Sequence, residues 1–228
     1  TRFNSSVTDI FRNEYLSPRS PYTTLQIPKQ GIGEWCHPLH TVDINDAGLR
    51  SSVQNGILNT ELGIPFRTPA EGHNVAFTSL WDNYPDSLEI PLKGKASRAY
   101  LLMAGSTNHM QCHIDNGVIR IYYKDGTRDV MFLRNPDNWP PIEHIFFEDG
   151  LAFNRHTPAL YRLRLKTGEI SNNFGEELGF PGASRELDGG AAVLLEMPLN
   201  PGKKLSHLVL ETLSNDVVIG LMSITLQR

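Results

Sequence analysis

The chain has 228 residues, of which 39% are hydrophobic and 20% are charged, and its formal net charge is −4. This is the composition of a globular protein with a sizeable core. It lacks the excess of basic residues that marks a surface for nucleic acid or for anionic membranes. No apolar run approaches the roughly 20 residues that a membrane-spanning helix needs. The sequence therefore predicts no nucleic-acid partner and no membrane span.

Residues 1–33 predict a linker, or a segment that wraps around the rest of the chain. They are polar and contain Pro18, Pro21 and Pro28, and prolines interrupt regular structure. The chain opens without methionine or a signal peptide, and we expect it to be a piece of a longer protein. Residues 34–228 are predicted to form one domain.

From residue 34 onward, short runs of β-forming residues recur between Gly, Pro, Asn and Asp. The predicted strands are residues 34–44, 75–79, 87–92, 98–104, 117–123, 128–133, 159–165, 191–197, 205–212 and 217–226. In "ALYRLRLK" the leucines alternate with Arg162 and Arg164, which predicts one buried face and one solvated face that carries the two arginines. Asp125-Gly126 predicts a hairpin between two strands.

Helical periodicity is weak throughout, and only "DAGLRSSVQNG" predicts a helix, of one or two turns. Many short strands without βα alternation indicate an all-β protein. We therefore predict a two-sheet antiparallel β-sandwich or jelly roll.

The order of several motifs resembles a known family. The motifs are "VDINDAGLRSS" (42–52), "LGIPFRT" (62–68), "SLEIPLKGKASRAYLLMAGS" (87–106), "GVIRIYYKDGTRDVMFLRNPDNW" (117–139) and "KKLSHLVLETLSNDVVIGLMSITLQ" (203–227). In this order they resemble the galactose-binding-domain-like jelly rolls that accompany bacterial glycoside hydrolases. The resemblance implies a place beside a neighbouring domain in a secreted or periplasmic carbohydrate-processing protein. It transfers no binding residue, because no motif matches a sugar site.

Two stiff loops combine aromatic rings with acids and amides. Sugars are recognised by a ring against the pyranose face and by polar groups for the hydroxyls. The candidate carbohydrate-binding residues are Trp81, Asp82, Asn83, Tyr84, Asp137, Asn138, Trp139 and Glu143. The alternative is that Trp81 and Trp139 plug the ends of the sandwich, whereas Trp35, inside a predicted strand, is expected in the core.

The histidines and cysteines suggest a metal site that the spacing does not support. "CHPLH" offers Cys36, His37 and His40, and "HMQCH" offers His109, Cys112 and His113. Zinc prefers these ligands, but neither segment contains H-E-x-x-H or C-x-x-C. We therefore predict no metal site and no cofactor.

The loop "DINDAG" leaves a structural calcium ion open. Its fifth position is Ala47, where an EF-hand needs an acid or amide. Asp43 and Asp46 are therefore predicted to cap a turn or a short helix.

A pair of carboxylates could make the chain a glycosidase. The candidate acids are Asp137, Glu143, Glu148, Asp149, Glu176, Glu177 and Glu186. Nothing in the sequence pairs two of them in space, so we expect this chain alone not to be an enzyme.

The sequence thus predicts a non-catalytic accessory module that binds glycan or braces a neighbouring catalytic domain. Two alternatives stay open: a purely structural domain without a ligand, and a glycoside hydrolase that uses a carboxylate pair.

Overall fold

A computed structural model describes residues 3–12, 43–81, 83–107, 111–144, 155–174 and 187–228. The described strands are β1 (Val53–Gln54), β2 (Ile57–Asn59), β3 (Pro65–Arg67), β4 (Ala76–Ser79), β5 (Ser87–Pro91), β6 (Arg98–Thr107), β7 (Gly117–Tyr123), β8 (Arg128–Leu133), β9 (Arg162–Arg164), β10 (Ile170–Ser171), β11 (Ala191–Pro198), β12 (Leu205–Thr212) and β13 (Val217–Gln227). A five-residue helix, α1 (Ala47–Ser51), and a single 3-10 turn (Val7–Asp9) are the described helical elements.

The strands form three antiparallel sheets. The six-stranded sheet has the order β10-β9-β11-β6-β13-β4, the four-stranded sheet β5-β12-β7-β8, and the small sheet β1-β2-β3. The predicted all-β antiparallel sandwich is confirmed, while the jelly-roll connectivity and the family resemblance stay predictions. None of the helices in the described part of the chain has the length and apolar character that crossing a membrane requires.

The inner core lies between the six-stranded and the four-stranded sheet. Leu101 and Met103 of β6 and Ile219 of β13 belong to the same buried cluster as Ile121 of β7 and Leu208 of β12. These residues come from strands whose side chains alternate between two faces. The predicted hairpin at Asp125-Gly126 is confirmed, since it joins β7 to β8.

The outer core lies on the opposite face of the six-stranded sheet. Leu102 of β6 packs there with Leu49 of α1, Phe66 of β3, and Val7 and Ile10 of the N-terminal segment. The six-stranded sheet is therefore covered on both faces. This explains why "AYLLMAGS" in β6 is a continuous apolar run rather than an alternating one.

The first described residues pack against the domain. Val7 and Ile10 are buried, and Ser5 pairs with Val75 in an antiparallel bridge. Asn74 joins this segment to α1, because its Oδ1 accepts from the Val7 amide at 3.0 Å and its Nδ2 donates to Asp46 at 2.7 Å. Residues 3–12 thus contribute side chains to the outer core.

The prediction that Arg162 faces solvent is wrong. Arg162 is only 8% exposed, and β9 extends over Arg162–Arg164 rather than over the whole predicted run 159–165. The neighbouring Leu163 is also buried, so both faces of β9 are covered at this point. The predicted strand at 34–44 lies mostly outside the described residues.

Candidate functional site

The proline-rich loop after β8 closes one end of the inner core. Trp139 is 0% exposed, and a Cβ at Gly105 would lie 2.5 Å from its Cζ2 atom. Only glycine at position 105 leaves space for this ring. The Trp139 amide donates to the Arg134 carbonyl at 3.1 Å, which holds the ring in place.

The same loop then fills a gap between two strands. The pairing of β6 with β11 ends at Met103 and Val193. Just beyond it, the Ile142 amide donates to the Gly105 carbonyl, and the Ile142 carbonyl accepts from the Ala191 amide, both at 2.8 Å. Ile142 therefore bridges the two strands where they separate, and the loop is part of the sheet edge.

The aromatic rings of the second candidate loop pack inward instead of facing solvent. Trp81 is 7% exposed, and its Nε1 donates to the Asn215 carbonyl at 3.0 Å. Tyr84 is 6% exposed and packs against Phe77, with ring centroids 5.1 Å apart. Both rings belong to the outer core.

These positions correct the predicted stacking roles of Trp81, Tyr84 and Trp139. A ring that stacks on a sugar must expose one face, and all three rings are buried. The plug interpretation fits their burial, because buried aromatic rings contribute large apolar areas to a core. Trp35 lies outside the described residues.

The polar side chains that were predicted to bind carbohydrate differ in their exposure and in their hydrogen bonds. Asn138 is bound at both ends, since its Oδ1 accepts from the Arg134 amide at 2.7 Å and its Nδ2 donates to the Phe132 carbonyl at 2.9 Å. Asn83 is exposed, Asp137 is half-buried, and Glu143 is buried and so does not face a sugar in solvent. Asp82 lies outside the described residues.

Glu143 and Arg162 are both buried beside β6, and the charge of Arg162 acts on the Glu143 carboxyl. Burial raises the pKa of Glu143 to about 7, and the charge of Arg162 and a hydrogen bond from Ser106 offset part of this shift. The same burial lowers the pKa of Arg162 to about 10. The two groups thus share one dehydrated environment.

The Arg162 guanidinium also connects the loop to β11. Its Nη1 donates to the His144 carbonyl at 2.6 Å, and its Nη2 donates to Pro141 at 2.8 Å and to Ala191 at 3.0 Å. These hydrogen bonds replace those that water would make to the guanidinium, so they offset the cost of burying its charge. A hydrophobic–charged alternation in sequence gives no indication of such a role.

A cluster of two imidazoles and one carboxylate lies at the surface beside the plug. The Nδ1 atom of His113 is 4.0 Å from Asp137 Oδ2, and that of His156 is 3.6 Å from Asp137 Oδ1. One ligand atom from each residue lies within 4.8 Å of the others. His113 and Asp137 are candidates for different roles in the sequence, and His156 is a candidate for none, because the three residues lie on three separate segments.

Of the other residues considered as zinc ligands, the structure describes Cys112, which is not one of the three residues of this cluster. Cys112 Sγ accepts a hydrogen bond from Asn135 Nδ2 at 3.6 Å. Cys36, His37, His40 and His109 lie outside the described residues.

The acids of "DINDAG" are bound by other side chains. Asp43 pairs with Arg12 at 2.7 Å, and Asp46 accepts from Arg50 Nε at 2.9 Å. Asp46 makes no capping hydrogen bond in α1, whereas Asn45 Oδ1 accepts from the Ala47 amide. Asp46 therefore occupies the predicted N-cap position of α1 without a capping hydrogen bond from its side chain, and both acids are paired with arginines.

Two of the acids that the glycosidase hypothesis proposed, Asp137 and Glu143, lie in the described residues, and they have different surroundings. Asp137 faces the two imidazoles, while Glu143 is buried beside Ser106. The remaining candidates, Glu148, Asp149, Glu176, Glu177 and Glu186, lie outside the described part of the chain.

No protein-family model, curated protein or solved structure matches the chain.

Proposed function

We propose that this chain is a non-catalytic accessory module of a larger carbohydrate-processing protein, bacterial and secreted or periplasmic, and that it braces a neighbouring domain. The observation that supports bracing over sugar binding is the burial of Trp81, Tyr84 and Trp139. The aromatic residues of both candidate loops are part of the core, so they expose no ring face on which a sugar could stack.

The contact surface for the neighbouring domain would be one corner of the four-stranded sheet. Exposed apolar side chains collect there: Ile114, Val130, Phe132 and Leu213. Hydrogen bonds connect the segments that carry them. The Asn116 Nδ2 donates to the Ile114 carbonyl, and the Asn116 carbonyl accepts from the Leu213 amide. Phe132 pairs with Val118 of the adjacent strand β7. Clustered exposed apolar residues are typical of protein contact surfaces.

Two measurements test the proposal. The purified chain is screened against plant, host and bacterial glycans, and we expect no binding. The adjoining domain of the parent protein is then titrated with the wild-type chain, with Phe132→Lys, and with Ile57→Lys as a matched control on the small sheet. We expect Phe132→Lys alone to weaken association at least tenfold while both variants melt like the wild type.

Glycan binding with a dissociation constant below about 1 mM would contradict the bracing role. Equal association of both lysine variants with the adjoining domain would contradict the proposed surface.

A further inference from the structure

We propose that His113, Asp137 and His156 bind a divalent transition-metal ion, with Zn²⁺ as the best match. This inference is independent of the proposed bracing role. Two neutral imidazoles and one carboxylate are a ligand set that zinc uses when it keeps a fourth position for water. Calcium and magnesium prefer sites built from oxygen atoms, so the two imidazoles select against them.

The spacing of the three groups is close to that of a coordination shell. Metal–ligand bonds of about 2.0–2.2 Å place neighbouring ligand atoms of a tetrahedral site about 3.3–3.6 Å apart. The two imidazole–carboxylate separations are 4.0 Å and 3.6 Å. Each carboxylate oxygen faces one imidazole. Since the three ligand atoms lie within 4.8 Å of one another, side-chain shifts of about 1 Å would bring them to bonding distance of one ion.

The backbone holds two of the ligands before any ion binds. The His156 amide donates to Asp137 Oδ1 at 2.7 Å, and Thr157 Oγ1 donates to the Asp137 carbonyl at 2.6 Å. These bonds connect the loop after β8 to the segment before β9. Asp137 and His156 therefore belong to one hydrogen-bonded unit, which reduces the ordering cost of binding.

The third ligand is held by the loop after β6. The His113 amide donates to the Asn135 carbonyl at 2.7 Å, next to a parallel bridge between Cys112 and Asn135. His113 has a φ of 56°, in the left-handed region that few non-glycine residues adopt. The two imidazole ring centroids are 4.7 Å apart, so the rings converge on one side of Asp137.

Exposure leaves one side of the cluster open for water or another ligand. The side chain of Asp137 is 17% exposed, that of His113 30%, and that of His156 63%. His156 is thus the most exposed of the three groups. An ion at this position would join three segments: the loop after β6, the loop after β8 and the segment before β9.

The neighbouring charges limit the affinity. The positive charge of Arg134 interacts with Asp137, although Arg134 is itself paired with Asp115 at 2.6 Å. Part of the carboxylate charge is therefore already balanced. We expect micromolar rather than nanomolar binding.

The test uses the whole chain, stripped of metal by a chelator. ZnCl₂, CoCl₂, NiCl₂, MgCl₂ and CaCl₂ are titrated separately by calorimetry, and melting is followed in parallel. We expect one Zn²⁺ per chain and a visible absorption band for Co²⁺. A hundredfold excess of Zn²⁺ over its dissociation constant should raise Tm by about 5–10 °C.

Substitutions identify the ligands. His156→Gln removes the most exposed ligand, so it should fold normally and weaken Zn²⁺ binding at least tenfold. Asp137→Asn should do the same, whereas His73→Gln, an exposed histidine outside the cluster, should bind like the wild type. Absence of Zn²⁺ binding would overturn the proposal. So would equal binding by His156→Gln and wild type, or tighter binding of Ca²⁺ than of Zn²⁺.

Discussion

The buried carboxyl of Glu143 makes a prediction about how stability depends on pH. Its pKa is raised from 4.5 to about 7 by burial. Between these two values the native state holds a proton that the unfolded state has released. The free energy of unfolding therefore falls as pH rises through this range, by about 1.4 kcal/mol per pH unit. The contribution is fully present below pH 4.5 and is lost above pH 7.

The magnitude follows from the size of the shift. A difference of about 2.5 pKa units corresponds to about 3 kcal/mol. Glu143→Gln keeps the shape of the side chain and cannot ionise. At pH 5 we expect this variant to lie close to the wild type, and from pH 5 to pH 8 it should gain about 2–3 kcal/mol relative to the wild type.

The assay is urea unfolding at pH 5, 6, 7 and 8, followed by tryptophan fluorescence. Glu196→Gln is the control, because Glu196 is a partly exposed acid that pairs with Arg98 at the surface, and this variant should follow the wild-type curve. Parallel curves for wild type and Glu143→Gln would refute the reasoning. They would mean that Glu143 is hydrated or that Arg162 compensates fully for its burial.

Three further substitutions test the packing and the buried polar contacts. Trp139→Ala should lower the free energy of unfolding by about 3–5 kcal/mol. Trp139→Phe should cost less, because the indole Nε1 has no partner among the described residues; equal losses in urea unfolding would contradict the plug. The Thr78 and Thr212 hydroxyls are 2.7 Å apart and buried, so Thr78→Val should lower the free energy of unfolding by about 1–3 kcal/mol. Adding Thr212→Val should recover part of that loss, and a strictly additive double-mutant cycle would argue against the contact. Asn74→Ala should cost about 1–3 kcal/mol and speed hydrogen exchange at Val7, whereas unchanged exchange would show that Asn74 does not hold the N-terminal segment.

Local patterns predicted most of the described strands. The runs at 117–123, 128–133 and 205–212 agree with β7, β8 and β12 residue by residue. Alternation with period two depends only on residues within one strand. It therefore predicts the strand without knowledge of which strands pair. The short helix in "DAGLRSSVQNG" is also confirmed as α1.

The small sheet was missed although its sequence contains a hairpin signal. Asn55 and Gly56 both have positive φ, and they join β1 to β2 as a two-residue turn. Asn-Gly is the strongest short-range signal for such a hairpin. Asn55-Gly56 lies inside the predicted helical segment, and the strands on either side are too short to show a period-two pattern.

The sequence by itself determined the all-β class, the main strands and the stiffness of the two aromatic loops, because these depend on neighbouring residues. Only the tertiary structure decided the direction of the rings: Trp139 turns inward because Gly105 of β6 leaves room for it. The same holds for the burial of Arg162 and for the meeting of His113, Asp137 and His156. Each depends on segments far apart in the chain, and no local periodicity records which of them will pack together.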